Sequence, residues 1–415
     1  MCHGWLAQPC SSIRRQTARS GKPTVARKSL ESRMLPKDRV AAIFEHRPTD
    51  KVPLYMGSFS SRVASAILGR PRACVGGGVN QFYESVALWQ GEDAHAAHLD
   101  RAFRDAMDLP TALDLDYVRP AYWRLSEKPT KRIDGHTFLY GNPDGAWRVM
   151  RFDPETELYQ VIDQQPRRET TIEDIERQVA DLERSLPDYR PTKAIASDYL
   201  RAMAEHGSTR AVNVGGIGLG LPYGDAAWLE AIALRPDLIR RYLDTTAERS
   251  CRNAEVLGRL GARYAHGGGD FAGTHGPNYS PKAFHELMLP PLRRISDACH
   301  RAGVYHMFAS DGNLWPVADD LFGASGVDAF YEIDLHAGMD LRRLRARFPH
   351  LTLLGGISSA TLHRGTRDDV VRETLAALDA AHGLGSIMVG CSNLVVCQTP
   401  MENFWAMMET LRANR

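Results

Sequence analysis

The C-terminal half of the chain repeats one pattern: a short apolar run ends on a polar or glycine cluster, and a helical stretch follows. The runs end at Asp270, at Asp311, at Glu332 to Asp334, at Gly355 to Ser358 and at Ser392-Asn393. Strands alternating with helices read as βα units of a parallel sheet, because a parallel neighbour is reached only by a crossover long enough to hold a helix. Many such units in succession predict an α/β fold, the (β/α)8 TIM barrel, whose chemistry lies where the strands end. The pattern therefore supplies a set of site candidates rich in carboxylates.

At 415 residues the chain exceeds one average domain, but a barrel of about 250 residues with insertions absorbs most of it. One barrel domain over residues 34–415 is the expectation. With 51 basic and 50 acidic residues the net charge is +1, a balance that speaks against nucleic acid or an anionic membrane as partner and for a small-molecule substrate. No apolar run approaches the roughly 18 to 20 residues that span a bilayer. The 7 cysteines form an odd set without CxxC pairs, unlike a disulfide scaffold or a zinc ribbon, so a cytoplasmic setting is expected. Residues 1–33 stand apart: Arg14, Arg15, Arg19, Lys22, Arg27 and Lys28 all precede the first acid, Glu31. That composition fits a disordered basic extension or a transit segment, and translation from Met34 is a third reading.

A helix is expected from Asp38 to Glu45, a strand from Val52 to Met56, and a long polar helix from about Gln81 to Met107. Leu113 to Arg119 alternates apolar and acidic residues, as a strand end projecting Asp116 or Asp114 would. Residues 136–163 break the rhythm with strand-like runs around Gly141-Asn142-Pro143-Asp144-Gly145, the mark of an antiparallel β-hairpin insertion. Such an insertion serves as a lid over the mouth or as a rim ornament. The glycine run from Gly215 to Gly220 lacks the phase and the downstream acid of a dinucleotide loop, so close backbone approach is its better explanation.

Three strand-end segments carry the most specific wording: Gly268-Gly269-Asp270-Phe271-Ala272-Gly273 before Ser280-Pro281, Phe308-Ala309-Ser310-Asp311-Gly312-Asn313, and Leu354-Gly355-Gly356-Ile357 before Gly365-Thr366. With the closing Thr399-Pro400-Met401-Glu402-Asn403, they resemble the uroporphyrinogen decarboxylase superfamily over roughly residues 34 to 412. The resemblance implies a (β/α)8 barrel and one of two activities, decarboxylation of a tetrapyrrole or zinc-dependent methyl transfer involving corrinoids. It also locates where this chain departs from both. The methyltransferases bind zinc through His-x-Cys and a further Cys, and the matching positions here are Ala309, Asp311 and Asn393. Ala and Asn cannot supply the imidazole and thiolate of a strong zinc site. Cys391, Cys397 and His306 lie nearby as substitutes for a rearranged site. The decarboxylases follow their first strand with an arginine-rich grip for substrate carboxylates, and the segment here, Met56 to Arg62, retains Arg62 alone.

Decarboxylase chemistry implies no cofactor, because a protonated pyrrole is its own electron sink and a buried carboxylate stabilises the cation. The expected enzyme is thus a carboxy-lyase acting on a carboxylated, pyrrolic molecule, with Asp116, Asp270 and Asp311 catalytic and Arg62, Asn313, Glu332, Asp334 and Asn393 binding substrate. No metal ligand is expected. The alternatives are a corrinoid methyltransferase, with zinc and a corrinoid protein as partner, and a non-catalytic tetrapyrrole-binding barrel; a homodimer is compatible with each. Every acid also has a structural reading, since a strand-end Asp often caps the following helix. Glu332 and Asp334, two apart on one strand, would both point inward, and the four mouth acids have the oxygens for a hard divalent ion. His266, His275 and His306, near the same strand ends, are expected as structural or substrate-contact residues.

Overall fold

Seven short strands form one parallel sheet: β1 (Tyr117–Val118), β2 (Ala211–Val214), β3 (Tyr264–Gly268), β4 (Tyr305–Ala309), β5 (Ala329–Tyr331), β6 (Thr352–Ile357) and β7 (Ile387–Cys391). They pair in chain order from β1 to β7. The segment from Val52 to Met56, expected as the first strand, runs between the two edge strands. Tyr55 N donates to Val389 O and Val389 N to Pro53 O at 3.0 Å each, and Asp116 N donates to Leu54 O at 3.3 Å. This computed structural model describes residues 34–120, 124–166 and 169–415; the expected basic extension, residues 1–33, lies outside them.

The strands alternate, as a pleated backbone must. Tyr55, Tyr117, Tyr264, Met307, Tyr331, Leu354 and Met388 meet in one buried cluster. Their neighbours in sequence, including Ala265, Phe308, Phe330, Leu353 and Val389, belong to a second and larger cluster shared with the helices. One set of side chains from every strand converging on itself is the packing of a curled sheet, so the molecule has a mixed α/β fold of the TIM-like kind. Among the described residues no helix is long and apolar enough to cross a membrane.

The insertion is a four-stranded antiparallel sheet, Lys131–Arg132, Thr137–Gly141, Trp147–Asp153 and Leu158–Gln164, slightly longer than the 136–163 read from sequence. Phe138, Tyr140, Phe152 and Tyr159 pack on Val79 and Phe82 of the helix Gly77–Gln90, with Phe82 stacked on Phe152 at 4.5 Å between centroids. Its apolar face is thus covered by a helix, and its turn reaches the barrel where Arg62 Nη2 donates to Pro154 O at 3.0 Å and the Cys397 thiol to Thr156 O at 3.4 Å.

Two local readings are corrected. The long helix read from Gln81 to Met107 is two helices, Gly77–Gln90 and Glu92–Leu113, because Gly91 at φ 127° breaks it. Most of the run from Leu113 to Arg119 is not strand: Asp114 at φ 55° caps the second helix in the left-handed conformation, which Asp tolerates, leaving Tyr117–Val118 alone in the sheet.

Candidate active site

Because β3, β4 and β5 are neighbours, the residues that follow them leave the sheet side by side at its C-terminal end. Asp270, Asp311 and Glu332 each offer a carboxylate oxygen, and the three oxygens lie within 4.8 Å of one another. Two glycines make this approach possible. Gly268 holds φ 145°, and a Cβ there would stand 2.3 Å from Ala309 O; Gly312 holds φ 85°, where a Cβ would stand 2.6 Å from Ala272 C. Side chains are excluded at both points by contact with backbone as well as by conformation. Ser310 cross-links the two loops: its Oγ accepts from Phe271 N at 3.0 Å and donates to Asp311 O at 2.9 Å.

Each acid has a defined environment. Both Asp311 oxygens accept from Asn393 Nδ2 at 2.9 Å, and Asn393 is oriented by Leu394 N, which donates to its Oδ1 at 2.6 Å. Burial, opposed by the Asn393 amide and reinforced by Asp270 and Asp334, raises the Asp311 carboxyl above its ordinary range. Asp270 Oδ2 accepts from the Tyr223 hydroxyl at 2.8 Å, and that bond lifts the phenol's own titration upward. Glu332 holds φ 66°, a left-handed backbone that costs a non-glycine residue on the order of 1–3 kcal/mol and concentrates at functional positions. Burial first, then Asp311, pushes its carboxyl up to about 7 against the opposing pull of Arg119. Three acids this close cannot all be ionised cheaply, so one keeps a proton near neutrality.

The remaining sequence candidates fall in four places. Asp334 and Glu332 line one cavity of about 950 Å³ with Asp311 and Asn393. The strand alternation expected of Glu332 and Asp334 does not apply, because β5 ends at Tyr331 and Asp334 turns back to accept from Ala337 N at 3.1 Å. Asn313 shapes the turn after Asp311: its Oδ1 accepts from Trp315 N at 3.1 Å and its N donates to Gly273 O at 2.9 Å. Arg62 is committed to the insertion. Asp116 does not reach the mouth at all. It precedes β1, at the opposite end of the sheet, where its carboxylate accepts from Arg39 Nη1 at 2.7 Å, Arg415 Nη2 at 2.6 Å and Leu54 N at 2.8 Å. Asp114 is exposed and lies 3.7 Å from both Lys51 and Arg415.

Sequence reasoning singled out neither Arg119 nor Tyr223, and of Ser392 it read only that an apolar run ends there. Arg119 follows β1 at the mouth end, as Glu332 follows β5, and donates from Nη1 to Gly57 O at 3.1 Å. Its position was legible from the strand pattern, had the strand been placed two residues later. Tyr223 comes from a loop, and nothing in its local sequence marks it. Ser392 Oγ accepts from Gly356 N at 2.9 Å, which ties the ends of β6 and β7 together.

The zinc site of the methyltransferase pattern does not fit these residues. Ala309 has no donor, and Asn393 turns its amide nitrogen, not its oxygen, toward Asp311. Nor do the nearby substitutes assemble: His306 Nδ1 is bonded to Ser296 Oγ at 2.8 Å, Cys391 is a buried thiol pushed up to about 12 and bonded to Asn393 O at 3.3 Å, and Cys397 faces the insertion. His266, on β3, is pushed down to about 3 by burial and then Arg119, so it is neutral. The donors that do converge are oxygens, a set suited to holding a shared proton or a hard cation.

Residues 224–414 match the family described as uroporphyrinogen decarboxylase (URO-D). No curated protein sequence matches the chain. Among solved structures, a methyltransferase from Methanosarcina mazei superposes with a TM-score of 0.60 at 17% identity, covering 92% of this chain and 99% of that one. Endo-glycoceramidase II from Rhodococcus sp. matches at a TM-score of 0.30 and 16% identity, over 65% of this chain and 80% of that one, too low a likeness to carry weight. The first comparison fixes the fold over nearly the whole length, and the family match covers the strands that bear Asp270, Asp311, Glu332 and Asn393. Residues 224–414 thus carry the sequence pattern of the uroporphyrinogen decarboxylase family, on a fold shared with the Methanosarcina mazei methyltransferase.

Proposed function

We propose that this chain is a carboxy-lyase that removes carbon dioxide from a small carboxylated, electron-rich ring such as a pyrrole, with Glu332 as proton donor. The observation that carries this reading is the meeting of Asp270, Asp311 and Glu332 oxygens within 4.8 Å at the strand ends. Such a group holds one proton and at least one negative charge in a partly buried mouth, which is what the reaction consumes and what its intermediate needs. The Glu332 proton passes to the ring carbon that bears the carboxylate. The ring becomes a cation, stabilised by Asp311 and Asp270 and by their acceptance of the ring N–H. The carbon–carboxylate bond then breaks, its electron pair restores the ring, carbon dioxide leaves, and Glu332 recovers a proton from water.

Asp311→Asn is expected to slow turnover by about a hundredfold or more, the effect of deleting one electrostatic stabiliser, with the fold intact because the oxygen of the new amide can still accept from Asn393 Nδ2. Carbon dioxide release and thermal melting of this variant check the expectation; full activity would remove Asp311 from the chemistry. Methyl transfer with a corrinoid protein is the second reading, supported by the fold shared with the Methanosarcina mazei methyltransferase. Incubation of the purified protein with pyrrole carboxylates and, separately, with methylcobalamin, together with its metal content, separates the two. Carbon dioxide release supports the lyase; demethylation of the corrinoid, with zinc near one per chain, would replace it.

A further inference from the structure

The mouth cavity is not uniformly acidic. Its inner end carries Asp311, Glu332 and Asp334; its outer part is built from the loop and helix after β6 and includes Arg364, Arg372 and Glu373. The charges of the outer part are almost all satisfied within the protein. Arg372 pairs with Asp369, and Glu373 accepts from Ser358 N at 2.5 Å and from the Thr361 hydroxyl at 2.7 Å. Arg364 is the exception: among the described residues its guanidinium has no hydrogen bond or ion pair, although it lines the cavity.

The backbone that presents Arg364 is firmly held. The helix Ser359–Arg364 begins at Ser358, whose Oγ accepts from Ala360 N at 3.1 Å. The next helix, Arg367–Leu384, starts two residues beyond Gly365 with a reciprocal cap between Thr366 and Asp369. The buried Asn403 amide donates to Leu362 O at 3.1 Å and to Gly365 O at 2.8 Å, clamping both sides of Arg364. Gly365-Thr366 and the closing run to Asn403, two stretches of family wording that the chemistry above leaves unused, thereby serve to fix one arginine at the cavity.

We propose that Arg364 grips a second, retained carboxylate of the substrate, so that the enzyme takes a ring with one carboxylate to lose and one to keep. The proposal rests on the lyase reading for the first carboxylate and on the cavity for the second. A guanidinium free on its bidentate face is the natural partner of a carboxylate. The inner acids repel any additional anionic group, so an eight-carboxylate tetrapyrrole meets five carboxylates and two guanidiniums in this lining and is a poor fit. The grip that the superfamily places after its first strand, where this chain keeps only Arg62 bonded to the insertion, is here supplied by the helix after β6.

Calorimetric titration of the full chain with pyrrole-2,4-dicarboxylate and with pyrrole-2-carboxylate tests this, with the parent expected to bind the dicarboxylate roughly tenfold more tightly, the low end for a charge-assisted pair at a wet rim. Arg364→Gln should erase the preference, leave binding of the monocarboxylate unchanged and, the residue being exposed, leave the melting temperature unchanged. Arg372→Gln should keep the preference, because that guanidinium is already engaged. A parent without preference, a parent that binds neither probe, or a preference that survives Arg364→Gln and vanishes with Arg372→Gln would overturn the assignment. Carbon dioxide measured in the same samples keeps the two ideas apart: release without preference removes the grip alone, and preference without release removes the lyase reading alone.

Discussion

Glu332→Gln is expected to lower turnover by about a hundred- to a thousandfold, the range for removing a positioned general acid, while the protein stays folded. The pH profile carries the more specific expectation. Glu332 must hold its proton to act, and its carboxyl is pushed up to about 7, so activity should be sustained below neutrality and fall as pH rises through about 7. At the acid end activity should drop where Asp311, raised above its ordinary value, becomes protonated. Residual activity of the Gln variant should lack the alkaline limb. Stability gives an independent check of the same group. A carboxyl whose folded value lies above its unfolded value of 4.5 makes the native state lose stability as pH climbs from that value to about 7, because the unfolded chain releases the proton first. Glu332→Gln should flatten this slope in denaturant titrations across the window. A variant with wild-type turnover, or with an unchanged alkaline limb, would assign the proton to another group.

Asp116→Ala should have its effect on folding and not on chemistry. The Asp116 side chain is 1% exposed, and it holds Arg39 and Arg415 together with the Leu54 amide. Arg39 and Arg415 have side chains only 3% and 5% exposed, so deleting their shared anion leaves buried positive charge short of a partner. Loss of one member of such a buried group costs about 3–5 kcal/mol. Denaturant unfolding should show that loss, and carbon dioxide release per folded molecule should match the parent. A variant of undiminished stability, or one that is folded yet inactive, would return Asp116 to the reaction.

The contrast between these two acids shows where the sequence was legible. Asp270, Asp311, Glu332 and Asn393 were found because each follows an apolar run, and a parallel sheet sends everything that follows its strands to one end. The family wording reinforced that reading over the same strands. Asp116 was misplaced for the same kind of reason. In Leu113 to Val118 the alternation suggested one strand with the acid at its end, but a left-handed Asp114 closes a helix first, and Asp116 enters the two-residue strand instead of leaving it. A shift of this size reverses which end of the barrel an acid occupies.

What the sequence determined by itself was the class of fold, its order of strands and which acids follow β3, β4 and β5, because these depend on periodicity and on direction along the chain. What only the tertiary structure decided was their pairing and their charge. That the Glu332 carboxyl is pushed up to about 7 follows from burial beside Asp311 and Asp270, that Asn393 serves Asp311 follows from the curl that brings β7 near β4, and that Arg364 is left unpaired among the described residues follows from Arg372 and Glu373, the charges that share its part of the cavity, having partners of their own. Proton affinity and free valence are properties of a residue's surroundings in three dimensions, and those surroundings are drawn from segments that no local pattern connects.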